Sequence, residues 1–186
     1  MRVIAGSARS LPLKTAPGQD IRPTTDKTKE TLFNILQPRL FGCSFLDLFA
    51  GSGAIGIEAL SRGAAKCVFA DLSRTAIRII EENLAFTRLG GHAEILREDA
   101  SSCVRRLSKR EKFDVIFLDP PFGKGLEMEP LIAISETQIL SDGGVVVLEA
   151  PTDTDLDFLN SCELKPVRVK SYGRHAHFFF ESGRSL

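Results

Sequence analysis

From Ser44 onward, short apolar runs alternate with stretches of helical periodicity. Phe45 to Phe49 is an apolar run that ends in glycines, and a helix is predicted over Ala54 to Ser61. Cys67 to Ala70 reads as a second strand and Arg74 to Leu89 as a helix closed by Gly90-Gly91. Ala93 to Leu96 reads as a third strand, followed by a basic helix to about Lys109. Phe113 to Leu118 is nearly all apolar, as expected of a strand covered on both faces. Leu126 to Leu140 has a helical pattern, and Asp142-Gly143-Gly144 turns into the strand Val145 to Glu149. Such alternation predicts a parallel sheet with right-handed crossovers. The ending breaks the pattern. Leu164 to Ser171 and His175 to Glu181 are β-rich and separated only by Tyr172-Gly173-Arg174, which permits only an antiparallel hairpin.

Before Ser44 the pattern is different. Residues 2–5 and 11–15 can pair as a hairpin across the polar Gly6 to Ser10 segment. Thr25 to Leu36 reads as a helix, with Thr24, Thr25 and Asp26 as candidate caps, Leu32, Phe33 and Leu36 as an apolar stripe, and Pro38 just beyond its end.

The length of 186 residues suits one domain with a substantial core. The longest apolar runs are far too short to span a bilayer, and no apolar leader precedes a cleavage site, so a cytoplasmic protein is expected. Cys43, Cys67, Cys103 and Cys162 are widely spaced, which argues against zinc and against a disulfide scaffold. Buried thiols are the expectation, with no metal site. Net charge is zero, but bases gather at the two ends of the chain and between Arg105 and Lys112, while Lys124 is the only base between Asp114 and Asp157. This asymmetry suits a basic face on a polyanion, with solvated surface charge as the plain alternative for each cluster. Arg2, Arg9, Arg22, Lys170 and Arg174 are the candidate phosphate contacts.

Gly51, Ser52, Gly53 and Gly56 form GxGxxG after a strand and at the opening of a helix, and Asp71 ends the next strand 20 residues after Gly51. On spacing alone this satisfies the dinucleotide fingerprint. Charge decides otherwise. Asp47 sits at the strand end just before the loop, where its carboxylate would repel a pyrophosphate. S-adenosylmethionine carries no phosphate but has an ammonium and a sulfonium, so Asp47 favours it over NAD. Asp71 can accept from a ribose diol, and Asp99, after the third strand, from an adenine amino group. A tight turn and exposed end-of-strand acids are the structural alternatives.

Asp119-Pro120-Pro121-Phe122 follows the apolar fourth strand, whose carboxyl end belongs to the ligand crevice of such a sheet. An exocyclic amine on a base is a poor nucleophile because its lone pair is delocalised into the ring. The Asp119 carboxylate and the Pro120 carbonyl can each accept one amino hydrogen, which favours a pyramidal nitrogen. Pro120 and Pro121 fix the backbone that carries both acceptors. Phe122 can stack on the base, a contact worth about 1–3 kcal/mol. A proline-rich surface turn is the alternative.

Leu46-Asp47-Leu48-Phe49-Ala50-Gly51-Ser52-Gly53-Ala54-Ile55-Gly56, continuing through Glu58-Ala59-Leu60-Ser61-Arg62-Gly63-Ala64, resembles the bacterial 16S ribosomal RNA guanine-N2 methyltransferases of the RsmD type. Arg2-Val3-Ile4-Ala5-Gly6, Arg22-Pro23-Thr24 running into Thr31 to Leu36, Asp119 to Phe122, and Tyr172-Gly173 agree, so the resemblance covers essentially the whole chain. It implies a Rossmann-like α/β class I S-adenosylmethionine-dependent fold: a seven-stranded, mostly parallel sheet with an antiparallel last strand. A small N-terminal β-hairpin extension (1–22) would precede the core (23–186) in a single domain. The implied substrate is a guanine of 16S rRNA in the small ribosomal subunit or its assembly intermediate. By motif match, Asp47, Phe49, Gly51 and Gly53, with Ala50 and Ser52 between them, would face the methionine end of the cofactor. Asp71 with Leu72 would face the ribose, and Asp99 with Ala100 the adenine. Ser7-Ala8-Arg9-Ser10 departs from the more basic, glycine-rich hairpin usual in that family.

Two other readings stay open on the residues. An adenine-N6 or cytosine-N4 nucleic-acid methyltransferase could use the same tetrapeptide, although the chain has no added domain large enough to read a duplex. A non-catalytic RNA-binding assembly factor could share the scaffold, although Asp47, Gly51, Gly53 and Asp119 are all intact. A nicotinamide dehydrogenase is more distant. The expected state is a monomer, and no role is assigned to Tyr172, His175 or His177.

Overall fold

A computed structural model describes residues 1–16 and 26–183. The main elements are α1 (Asp26–Leu40), β1 (Ser44–Leu48), α2 (Ala54–Ser61), β2 (Lys66–Ala70), α3 (Arg74–Thr87), β3 (Ala93–Leu96), α4 (Ala100–Leu107), β4 (Phe113–Leu118), α5 (Met128–Thr137), β5 (Leu140–Pro151), β6 (Leu164–Tyr172) and β7 (His175–Ser182). They form one seven-stranded sheet in the order β3-β2-β1-β4-β5-β7-β6. Neighbours from β3 to β5 are parallel, and β7 is antiparallel to both β5 and β6. The expected parallel sheet with one reversed strand is therefore present.

Strand alternation sends successive side chains to two different cores. On one face Phe45, Phe69, Val115, Phe117, Val147 and Phe179 pack against Leu32, Phe33 and Leu36 of α1, Ile57 of α2 and Ile80 and Leu84 of α3. On the other, Leu46, Val68, Ile116, Leu118, Val146 and Leu148 meet Val104 and Leu107 of α4 and Leu131 and Ile134 of α5. Each such side chain, fully buried, contributes roughly 1.5–3 kcal/mol. Cys43, Cys67 and Cys103 are buried free thiols, and burial pushes Cys43 and Cys103 up to about 12, so they behave as small apolar groups.

Several boundaries differ from expectation. Helix α1 does not stop before Pro38 but contains it and runs on to Leu40, which is wholly buried and holds the last turn against the core. Helix α3 ends two residues early, at Arg88 in the left-handed region (φ 61°), and α5 ends at Gln138 in the same region (φ 55°). The expected turn at Asp142–Gly144 lies inside the span of β5 as an irregularity: Phe113 pairs with Leu140, yet Val115 already pairs with Val145. Among the described residues the N-terminal hairpin is reduced to one antiparallel bridge, Arg2 to Pro12, with Val3 N–H donating to the Leu11 carbonyl at 3.0 Å. Thr24 and Thr25, expected as caps of α1, lie outside the described residues.

Two contacts with α2 organise the N-terminal segment. Glu58, fully buried, accepts from Ile4 N–H (2.8 Å), Ala5 N–H (3.0 Å) and Arg62 Nε (2.8 Å), and pairs with Lys29 Nζ at 3.1 Å. Burial lowers the Lys29 ammonium from its usual range, opposed by Glu58. Removing one partner from such a buried set costs about 3–5 kcal/mol, because the other charge is left uncompensated. At the far end of α2, Ser61 accepts from Ser7 N–H at its carbonyl (2.8 Å) and from Ala8 N–H at its hydroxyl (2.9 Å).

Helix α2 approaches β2 through Gly56, where an added Cβ would lie 2.3 Å from Phe69 Cε1 and 2.6 Å from Cys67 Sγ. Gly56→Ala should therefore destabilise the fold by roughly 1–3 kcal/mol, as overpacking does. Gly90→Ala, where nothing lies within 4 Å, should be close to neutral. Urea unfolding of the two variants checks this; equal midpoints would show that α2 can move away from β2 at little cost.

Candidate active site

The loop after β1 is built on three residues in the left-handed region: Phe49 (φ 60°), Gly51 (φ 56°) and Gly53 (φ 74°). Phe49 is uncommon there, and such backbone persists where surrounding contacts overdetermine it. Those contacts are present. Ala50 N–H donates to the Ala70 carbonyl (3.0 Å) and Gly53 N–H to the Ala50 carbonyl (2.7 Å). Asn83 of α3, almost wholly buried, donates from Nδ2 to the Ser52 carbonyl (2.9 Å) and to the Lys14 carbonyl (3.0 Å), and accepts from Lys14 N–H (2.8 Å). One side chain thus joins the loop to the N-terminal segment, and no feature of the sequence pattern singled it out.

Asp47 is 2% exposed, and its Oδ2 accepts from Gly56 N–H at 2.9 Å. Burial pushes its carboxyl up to about 8, the Gly56 hydrogen bond opposes this, and Asp71 adds to it. Asp71, at the end of β2, accepts from Gly51 N–H (2.9 Å) and Ser73 N–H (2.8 Å), so it braces the glycine loop from the neighbouring strand. Leu72 beside it is 65% exposed. Asp99 is the N-cap of α4: Oδ1 accepts from Ser102 N–H (3.0 Å) and the Ser101 hydroxyl (2.8 Å), which lowers its carboxyl below the usual range. Ala100, which opens that helix, is buried.

Asp119 follows the last residue of β4. The alternation that turns Phe117 toward the α1–α3 face carries Asp119 to the same face as Asp47. Leu118 is level with Leu148 and Glu149 with His177, so Asp119, Glu149 and His177 form one row across β4, β5 and β7 at the carboxyl edge. Burial raises the Asp119 carboxyl well above its usual range, with the Glu149 and then the Asp47 carboxylates adding to it. Pro120 and Phe122 line a cleft of about 440 Å³ on the α5 side, with Met128, Ala150, Pro151 and Phe158. Pro121 is exposed, as is Phe122 at 39%, so the ring is available to a ligand.

The structure thus brings together Asp47, the Phe49–Gly53 loop, Asp71 and the tetrapeptide at one edge. The basic residues divide. Arg174, exposed, is in the β6–β7 turn, where its carbonyl accepts from Thr152 N–H (3.1 Å), and Lys170 on β6 is level with His177. Both belong to the β6–β7 hairpin, which pairs with β5 and turns at the carboxyl edge of the sheet. Arg2 is paired with Asp26 at 2.9 Å. Arg9 is at the hairpin tip, which docks on Ser61 at the end of α2 opposite the glycine loop. Arg22 lies outside the described residues. Among the described residues no group of three or more His, Cys, Asp or Glu could hold a metal ion, and no helix is long and apolar enough to cross a membrane.

Sequence reasoning passed over Glu149, Tyr172, His175 and His177. Glu149 Oε2 is 3.0 Å from His177 Nε2, and His177 Nδ1 is 3.2 Å from the Tyr172 hydroxyl. His175 Nε2 is 3.7 Å from Glu149 Oε1, and the Tyr172 and His175 rings stack at 5.4 Å. The available signal was the His-x-His spacing in a strand, which sets both rings on one face, opposite an acid closing a central strand.

Asp47 gives a pH test on the ligand-free protein. An unfolded aspartate titrates near 3.9, whereas folded Asp47 titrates at about 8. Stability from the protonated form is complete below the unfolded value and is lost as pH rises through the folded one. Asp47→Asn keeps an acceptor for Gly56 N–H and removes the titration. Its urea midpoint should fall less than that of the unsubstituted chain as pH is raised from about 5 to about 8. Parallel curves would mean that Asp47 is ionised throughout.

The family described as Conserved hypothetical protein 95 matches residues 1–181. The chain is 44% identical over 174 residues to a Bacillus subtilis protein named "Putative rRNA methyltransferase YlbH", covering 93% of this chain and 94% of the relative. It is 37% identical over 158 residues to Ribosomal RNA small subunit methyltransferase D of Escherichia coli, covering 84% of this chain and 77% of that protein. A solved structure described as "Putative methyltransferase yhhF from Escherichia coli" superposes with a TM-score of 0.85 at 32% identity, covering 98% of this chain and 97% of the other. By sequence over nearly its whole length and by fold, the chain belongs to the Conserved hypothetical protein 95 family, the RsmD family.

Proposed function

We propose that the protein transfers a methyl group from S-adenosylmethionine to the exocyclic N2 amine of a guanine in 16S rRNA, in the cytoplasm, on the small ribosomal subunit or its assembly intermediate. Family membership and the names of the relatives support methyl transfer to small-subunit rRNA as the broader reading. The observation that carries the chemistry is the convergence of Asp47, Asp119 and Glu149 at one sheet edge beside a glycine loop.

The donor set fits the methyl donor. Asp47 offers a buried carboxylate to an ammonium, and such a wall is hostile to a pyrophosphate. Gly53 leaves the loop close to Ile80, where a Cβ would lie 3.1 Å from Cγ1, so the strand-to-helix turn is tight. Phe49, Ala50, Gly51, Ser52 and Gly53 would hold the methionine end. Each Asp71 oxygen already accepts one backbone N–H and keeps capacity for a ribose hydroxyl. Leu72 would cover the ribose, and Asp99, whose Oδ1 caps α4, would meet the adenine with Ala100. When bound, S-adenosylmethionine supplies a methyl group activated on a sulfonium.

The remaining work falls to the chain. Phe122 stacks on a base withdrawn from its own stack, offsetting part of an unstacking cost of roughly a few kcal/mol. The Pro120 carbonyl and Asp119 accept hydrogen bonds from the two amino hydrogens and aim the nitrogen lone pair. The nitrogen loses one proton for the methyl it gains, and Asp119, more basic than an ordinary carboxylate, accepts it. Guanine suits this edge because it presents N1–H and N2–H donors side by side. Adenine and cytosine have no ring N–H beside the amine.

Asp119→Ala should reduce turnover by about 10²–10³ while leaving S-adenosylhomocysteine affinity nearly intact. Phe122→Ala should also impair turnover, and Phe122→Tyr should retain most of it. Radiolabelled methyl transfer to small subunits lacking the modification measures both, with calorimetry for the cofactor; near-normal turnover by Asp119→Ala would place the chemistry elsewhere. Lys170→Ala and Arg174→Ala should each lower the slope of log RNA affinity against log salt by about 0.7–0.9, and unchanged slopes would move the RNA to another face.

A further inference from the structure

We infer that Glu149, held by His177 and Tyr172, is a positioning residue for the reaction: its carboxylate stands in one row with Asp119, beside the place where the target amine would be held. The inference rests on the proposed role of Asp119 and assigns to methyl transfer a network that the tetrapeptide and the glycine loop do not include.

Glu149, His177 and Tyr172 form one hydrogen-bonded chain. Glu149 Oε2 lies 3.0 Å from His177 Nε2, and a carboxylate there requires Nε2 to carry the hydrogen. Nδ1, on the other side of the ring, is 3.2 Å from the Tyr172 hydroxyl. Tyr172 and Glu149 thus hold the ring at its two nitrogens and fix its orientation. The ring is fixed by edge contacts with Phe117 (6.1 Å), Phe179 (6.4 Å) and Tyr172 (5.0 Å). His177 is 0% and Glu149 4% exposed, so water does not screen the charge. Its neighbour in the row is Asp119. Two buried carboxylates side by side resist joint ionisation, so the second holds its proton more tightly.

The other charged groups around this row have been placed. Asp47 faces it from β1 with Asp71 beyond, and His175 faces it from β7. Arg168 acts on Tyr172 from β6. On the helices of this face, Lys29 is paired with Glu58. Burial raises the Asp119 carboxyl most, and of the two carboxylates beside it Glu149 adds more than Asp47.

The step served is a proton transfer. The amine nitrogen gains a methyl as the methyl's bond to its donor sulfur breaks, with that bond pair left on the sulfur, and the nitrogen releases one proton, which Asp119 takes. Removing the Glu149 charge makes Asp119 easier to ionise but a weaker acceptor. Two consequences follow together. The plateau of kcat, where Asp119 is fully ionised, falls, and the acid limb of the kcat profile moves to lower pH, because Asp119 stays ionised further down.

The experiment measures methyl transfer to small subunits lacking the modification, from pH about 5 to 9, with S-adenosylhomocysteine affinity and thermal midpoint for each variant. Glu149→Gln should lower kcat about tenfold or more, leave KM for the particle within about twofold, and shift the acid limb downward. His177→Gln, whose amide N–H can still donate to Glu149, should keep more activity than His177→Phe, which cannot. Tyr172→Phe keeps the ring packing and loses only the hydroxyl; it should lower kcat without altering cofactor affinity, and it tests the network if Glu149→Gln fails to fold. An acid limb unmoved in Glu149→Gln, or equal activity of the two His177 variants, overturns the inference and leaves the network a purely structural brace. If Asp119→Ala itself remains active, the proposed function fails first. An inactive Asp119→Ala beside unaffected Glu149, His177 and Tyr172 variants defeats this inference alone.

Discussion

Helix α2 can lie against β2 only because position 56 carries no side chain. Much of the molecule follows from that approach. Gly56 N–H comes within 2.9 Å of Asp47, which fixes the carboxylate at the end of β1. Gly53, one turn earlier, closes the loop, and Glu58 and Ser61, further along, present the acceptors on which residues 4–8 dock. The loop, its acid and the N-terminal segment are thus all referred to one helix, and the helix to one absence of a Cβ.

The carboxyl edge of the sheet concentrates charge that the fold alone would not favour. Asp47, Asp119 and Glu149 are buried or nearly so on adjacent strands, and burial raises the first two above the ordinary carboxylate range. A fold selected for stability alone would replace such acids with apolar groups. Buried acids gathered at one edge are what the proposed function asks of it, a cationic ligand and a proton-releasing group. The contrast with the Lys29–Glu58–Arg62 set is instructive: there the charges are matched and their effect is to hold backbone in place.

Much of this was legible in the sequence because the signals were local. The apolar runs ending at Phe49, Ala70 and Leu118 mark parallel strands, and the three-residue link around Gly173 forces the reversed β7. Asp47, the glycines and Asp119 could be found because each sits at a strand end. What escaped depended on tertiary contact. Pro38 reads as a stop until the burial of Leu40 carries α1 past it. Gly143 and Gly144 read as a turn, although the chain re-enters the same strand. Arg9 belongs to a basic cluster in sequence yet docks away from the tetrapeptide. His177 acquires meaning only beside Glu149, 28 residues away. Asp99 shows a further limit: an acid after a strand and before a helix is at once a helix cap and a ligand candidate, and sequence gives both roles the same mark.

Asn83 holds Lys14 and Ser52 with the same side chain. The N-terminal segment is therefore not an appendage that could be exchanged between methyltransferases like a cassette. A chimera bearing this arm on a foreign core would need an amide at the matching turn of the third helix and a carbonyl turned toward it by the glycine loop. Lineages that alter the arm are accordingly constrained at a buried position far along the chain, and substitution at that asparagine is expected to track the arm rather than the core around it.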